Sequence, residues 1–104
     1  MAVYLFPDNI HHSWSDFLTG ERIRTINEIA ERIGENVNPE YKKVLRFLEV
    51  DLSNVRVVIL GQDPYPEKGV ATGRAFEVGG LKTWDQPFRQ VSLKNVIRLI
   101  HKSY

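Results

Sequence analysis

The 104-residue chain contains no cysteine, which rules out disulfides and thiolate-held metals or clusters within it. That suits a reducing compartment. No apolar run approaches the roughly 20 residues that a membrane-spanning helix needs. The opening "MAVYLFPDNIHHSW" has neither a basic leading stretch nor a long apolar segment, so no secretory signal is visible. These absences together read as a cytosolic (cytoplasmic) protein. Acidic residues are also missing from one end. None follows Asp85, whereas Arg89, Lys94, Arg98 and Lys102 do. Residues 1–51 carry six Lys/Arg against nine Asp/Glu, and residues 52–104 carry eight against four, an imbalance hidden by the net charge of +1. A basic C-terminal segment suits a phosphate backbone, but it equally suits a solvated helix face. Charge alone leaves both open.

What is present is ordinary globular composition, with no internal repeat and no low-complexity linker. The length fits a single domain, or part of one, over residues 1–104. "SDFLTGERIRTINEIAERIG" sets Ile23, Ile26, Ala30 and Ile33 three and four apart, the apolar stripe of a helix that Gly34 would stop. "NPEYKKVLRFLE" predicts a second helix, with Asn38 as its cap, Pro39 at the first helical position and Glu40 in the first turn. Tyr41, Val44, Leu45 and Leu48 would form its buried face. "VRVVIL", residues 55–60, is short, β-branched and almost wholly apolar, as suits a strand covered on both faces of a parallel sheet. Residues 61–73 form a Gly/Pro-rich loop, and "GRAFEV" a short extended piece. "SLKNVIRLIHK" predicts an amphipathic helix capped by Ser92. Its apolar stripe is Leu93, Val96, Ile97 and Ile100, and its basic ridge is Lys94, Arg98 and Lys102. A helix start of this kind favours an anion. The order is helix, helix, strand, long loop, helix. One strand cannot make a sheet, so this pattern reads as a portion of a larger α/β architecture.

The loop "LGQDPYPEKG" follows the predicted strand at the place where open α/β sheets carry their ligand sites. Asp63 precedes Pro64, which biases the Asp63 backbone towards extended geometry, and Pro64 has its own φ fixed. The carboxylate is therefore aimed by the backbone, as suits a group that orients water or faces a developing cation. An Asp-Pro turn leaving a strand is also common without any function. On composition alone, Phe76 reads as a core aromatic, and the adjacent His11 and His12 as surface or capping residues.

"GQDPY" after an apolar run, "GRAF" beginning eight residues beyond Tyr65, and "SLKNV" in that order resemble the uracil-DNA glycosylase family of the first type, whose loop motif is GQDPYH. The resemblance is weak over residues 39–55 and strong over 56–98, and corresponds to the N-terminal half of that family's domain. It implies a three-layer α/β/α fold around a parallel sheet, seen here as two helices, a buried strand, the catalytic loop and a helix. It implies hydrolysis of the N-glycosidic bond between uracil and deoxyribose in DNA, in base excision repair, with no metal or cofactor. Lack of cysteine sets the iron–sulfur glycosylases aside. Asp63 matches the acid that orients the attacking water. Gln62 matches the residue whose backbone helps to hold the base, and Tyr65 the ring that excludes the thymine methyl. Phe76 matches the aromatic on which the flipped base stacks, and Ser92 a serine that grips DNA phosphate.

The chain departs from the family pattern in carrying Pro66 where the motif has histidine, and Pro87 alone in a normally proline-rich loop. Trp84 and Phe88 read as packing residues of that loop. The family's uracil-reading asparagine, anion-stabilising histidine and apolar wedge have no counterpart here, and His101 matches none of them. The implied partner is uracil-containing DNA, for a monomer that depends on a missing C-terminal half. Two other readings stay open: a catalytically inactive relative that binds DNA or a nucleobase, and a small α/β phosphate- or nucleotide-binding module.

Overall fold

The computed structural model of the chain describes residues 4–83 and 85–103, so Trp84 lies outside the described residues. The first helix, α1, runs Gly20–Ile33. Thr19 caps it by accepting from the Arg22 N–H, and Gly34 ends it at φ 71°, in the left-handed region that a Cβ disfavours. The predicted stripe is the face that packs. Ala30 is fully buried and, with Leu5, forms a small core joined by Ile26, Val44 and Leu45. Ile33, at the end of the stripe, stays exposed.

The second helix is much shorter than its sequence predicts. α2 covers Tyr41–Val44 only, and the chain then tightens into 3-10 turns at Arg46–Glu49 and Leu52–Asn54. Leu48 is buried as expected, whereas Tyr41 is exposed. Asn38 does not cap this helix. Glu40 occupies the capping position and makes no side-chain bond, and the Asn38 amide turns elsewhere.

The N-terminal segment clamps this region. His11 caps a 3-10 turn at His12–Trp14, and the His11 N–H donates to the Leu48 carbonyl at 2.9 Å. The Trp14 indole donates to the Val50 carbonyl at 2.8 Å, and the Leu52 N–H to Ser13 Oγ at 2.9 Å. Trp14 also meets the Phe47 ring edge-on, 5.5 Å between centroids, a geometry that aromatic quadrupoles favour. Lys42 pairs with Asp8 at 3.0 Å, and that bond raises the Lys42 pKa.

The predicted parallel sheet is absent: among the described residues there are helices and turns but no strand. Residues 55–60 run without regular structure and lie open to solvent, with Val57 75%, Val58 79%, Ile59 59% and Leu60 91% exposed. The α/β/α expectation is therefore corrected, and so is the buried strand within it. The reason is that a strand is not a local structure. Each of its backbone N–H and C=O groups needs a partner on a neighbouring strand, and no described residue supplies one. "GRAFEV" is likewise not extended but forms a turn.

The last helix, α3, runs Val91–Ser103, one residue earlier than predicted, so Ser92 sits inside its first turn and not at its cap. Leu93 is buried, while Ile100 on the same stripe is exposed. No described helix is long and apolar enough to cross a membrane. The radius of gyration is 15.7 Å, against about 13 Å for a compact domain of this length. The fold is thus open, and its opening lies beside residues 55–60.

Candidate functional site

The opening is a hollow of about 1040 Å³. One wall is the apolar run 57–60, and the other is built from the loop that follows it and from the turn around Phe76. Gln62, Asp63, Tyr65, Phe76 and Ser92, the five residues singled out by sequence, all line it. Residues 30 positions apart are brought together because the loop folds back over α2 and the 3-10 turn beyond it.

Three contacts make that return. The Arg46 guanidinium donates to the Thr72 carbonyl at 2.8 Å. Gly73, at φ 90°, presses its backbone against the Lys43 carbonyl and the Arg46 stem, where a Cβ would collide with both. The Gly79 N–H closes the turn on the Val70 carbonyl at 2.7 Å. Gly73 is required here on two counts, backbone conformation and close approach. Gly73→Ala is expected to destabilise the chain by about 1–3 kcal/mol, read as a lower urea midpoint; an unchanged midpoint would show that the loop is not docked there.

Asp63 is exposed, and its Oδ2 accepts from the Gln62 side-chain amide at 3.0 Å. Tyr65 is half-buried. Burial, and after it the charge of Glu67, raises its phenol pKa, so the ring carries a neutral O–H at physiological pH. That hydroxyl faces the Phe76 carbonyl at 3.4 Å. Phe76 itself sits at φ 63°, a conformation that costs a non-glycine residue about 1–3 kcal/mol and is concentrated at functional sites. Its neighbours hold it there: the Glu77 N–H reaches the Arg74 carbonyl at 3.4 Å, and Arg74 pairs with the Glu77 carboxylate at 3.3 Å.

Glu77 secures this turn electrostatically. Burial disfavours its charge, but a bond from the Thr72 hydroxyl and the Arg74 guanidinium outweigh that and hold its pKa below the ordinary 4.5. A depressed carboxylate pKa contributes stability that is complete above about pH 4.5 and is lost as pH falls through the folded value. The melting temperature of the wild type should therefore fall more steeply below pH 4.5 than that of Glu77→Gln; parallel curves would remove Glu77 from the turn's support.

Other sequence candidates fall outside the hollow. His11 accepts from the Ser13 N–H and stacks on His12 at 4.3 Å, a capping arrangement. No group of three or more potential metal ligands occurs among the described residues. Phe88 lies beneath the Lys94 ammonium, 5.5 Å from its ring centroid, and His101 is exposed on α3. Asn38 and Arg46 are contributors that the sequence did not reveal. Asn38 sits before a proline, a signature of helix starts, and no motif in the sequence marks Arg46.

No protein-family model matches the chain, and no solved structure does. Curated proteins do match. The uracil-DNA glycosylase of Mycolicibacterium smegmatis is 46% identical over 59 residues, which are 57% of this chain and 24% of the relative. The uracil-DNA glycosylase of Klebsiella pneumoniae is 39% identical over 74 residues, 64% of this chain and 32% of the relative. That of Salmonella arizonae is 40% identical over the same shares. The chain spans about a quarter to a third of the length of the curated relatives it matches. Over some 57–64% of its residues, the chain is thus similar to part of curated uracil-DNA glycosylases.

Proposed function

We propose that this chain carries the water-orienting and base-sorting part of a uracil-DNA glycosylase, acting on uracil-containing DNA in base excision repair. The observation that supports this most is the lining of one hollow by Asp63, Tyr65 and Phe76, residues that lie in or near a proline-stiffened loop. A base stacked in a duplex cannot be reached, so the nucleotide must be extruded into a pocket. Phe76 then offers its face to the base, a contact worth about 1–3 kcal/mol. Tyr65 stands where a 5-methyl group would strike it, so uracil enters and thymine does not. Asp63 faces the sugar. As the bond between C1′ and the base nitrogen breaks, the electron pair leaves with uracil and positive charge develops on the sugar ring. The Asp63 carboxylate stabilises that charge and orients a water, whose oxygen bonds to C1′ and whose proton is released to the carboxylate and then to solvent. Ser92 and the basic ridge of α3 serve the phosphate backbone.

One observation favours a second reading, a catalytically inactive relative that binds DNA or a nucleobase. The hollow is open to solvent along residues 57–60, so the electrostatic advantage of a dry site is reduced. The two are separated by mixing the chain with a uracil-containing single-stranded oligonucleotide and then heating in alkali. Strand breaks at uracil and none at thymine support the glycosylase. Binding without breaks supports the inactive relative, and indifference to the base removes both.

A further inference from the structure

We propose that Asn38 is a positioning residue of the candidate site, setting the placement of Asp63 and of the Tyr65 ring from outside the loop. The part concerning base selection rests on the glycosylase reading; the part concerning loop order does not. The Asn38 Nδ2 donates to the Tyr65 carbonyl at 2.6 Å, across 27 residues of sequence. Among the described residues, no other hydrogen bond reaches the backbone of residues 61–66. The loop that carries the candidate catalytic carboxylate is therefore tied to the rest of the fold at this one backbone point.

The tether is stiff at both ends. Pro39, directly after Asn38, is buried and has its φ fixed. It anchors Asn38 to the body of the fold and biases its backbone away from helix. The local task that an asparagine before a helix usually performs is not performed here, because α2 begins at Tyr41 with Glu40 before it. The amide is left for the distant carbonyl. At the other end, Pro64 is the single residue between Asp63 and Tyr65, so few free torsions separate the held carbonyl from the carboxylate. Asn38, Asp63 and Tyr65 all border the same hollow. A small displacement at Tyr65 reaches both the acid and the wall, and a misplacement of about 1 Å can cost on the order of 100-fold in rate.

Asn38→Asp keeps the shape but replaces the donor with a second acceptor, which repels the carbonyl; Asn38→Gln restores a donor. The first measurement is the NMR order parameter of the Gln62, Asp63 and Tyr65 backbone N–H groups, with the α1 amides as control. Values near 0.85 in the wild type should fall below about 0.6 in Asn38→Asp, with α1 unchanged and partial recovery in Asn38→Gln. Unchanged loop values, or equal loss in α1, would overturn the proposal, the latter because it marks a general structural role. The second measurement is the preference of the oligonucleotide reaction for uracil over thymine. Asn38→Asp should lower kcat about 10- to 100-fold with little change in KM, and should narrow that preference. A wild type without any preference sinks the glycosylase reading, while the order parameters still decide the role of Asn38. A wild type with preference that Asn38→Asp fully retains overturns the proposal.

Discussion

Asp63→Asn is expected to reduce uracil release about 10²- to 10³-fold, the usual loss when one charge-stabilising group is taken from a reaction centre. The substitution keeps size and one acceptor oxygen, so the Gln62 amide that now donates to Asp63 Oδ2 would still find a partner. What disappears is the negative charge that the proposed mechanism sets opposite the developing cation. Affinity for the oligonucleotide should not fall and should rise slightly, because a carboxylate beside a phosphate backbone is repelled by it. The measurement is single-turnover uracil release alongside binding of the same oligonucleotide. Near-normal release from Asp63→Asn would take this residue out of the mechanism, and equal losses in release and binding would recast it as a structural residue.

Tyr65→Ala is the second large effect, and its sign is a gain. One methyl group is worth only about 1–3 kcal/mol in a pocket that merely prefers its absence, so rejection of thymine needs a wall that cannot yield. The Tyr65 ring is held by the Asn38 bond to its carbonyl and by the contact of its hydroxyl with the Phe76 carbonyl. Its removal should raise thymine release relative to uracil release about 10- to 200-fold. Tyr65→Phe is the companion experiment. It keeps the ring, so thymine should still be refused, while the lost hydroxyl frees Phe76 from one of the groups that hold it at φ 63°. Complete rejection of thymine by Tyr65→Ala would place the wall at another residue.

The parts of the molecule that sequence reading describes well share a property: their cause is local. α1 is legible because a stripe and a terminating glycine lie within one short stretch ending at Gly34, and the stripe is the face that buries Ala30; the Thr19 cap emerged only from the structure. α3 is legible from its apolar stripe alone, since Ser92, its predicted cap, lies inside the first turn. The second helix fails although its periodicity is as good. Beyond Val44 the Phe47 ring meets Trp14 and the Leu48 carbonyl accepts from the His11 N–H, and the backbone is tightened into a 3-10 turn there. The apolar run 55–60 fails more completely. Its pattern specifies what a strand would bury, but pairing depends on chain elsewhere, and among the described residues no such chain is present.

The same division runs through the site. Residue identity, order and spacing decided the candidates: a carboxylate aimed by Pro64, a ring two residues on, a second aromatic after "GRA", and a family likeness resting on those motifs. Only the tertiary structure decided that these side chains meet at one hollow, that Phe76 bends into the left-handed region, and that Asn38 leaves its helix to hold the Tyr65 carbonyl. The physical reason is range. Caps, turns and proline restrictions act within a few residues and are written in short words of sequence. A hydrogen bond across 27 positions, or a glycine chosen for what presses against it, depends on where distant chain happens to pass.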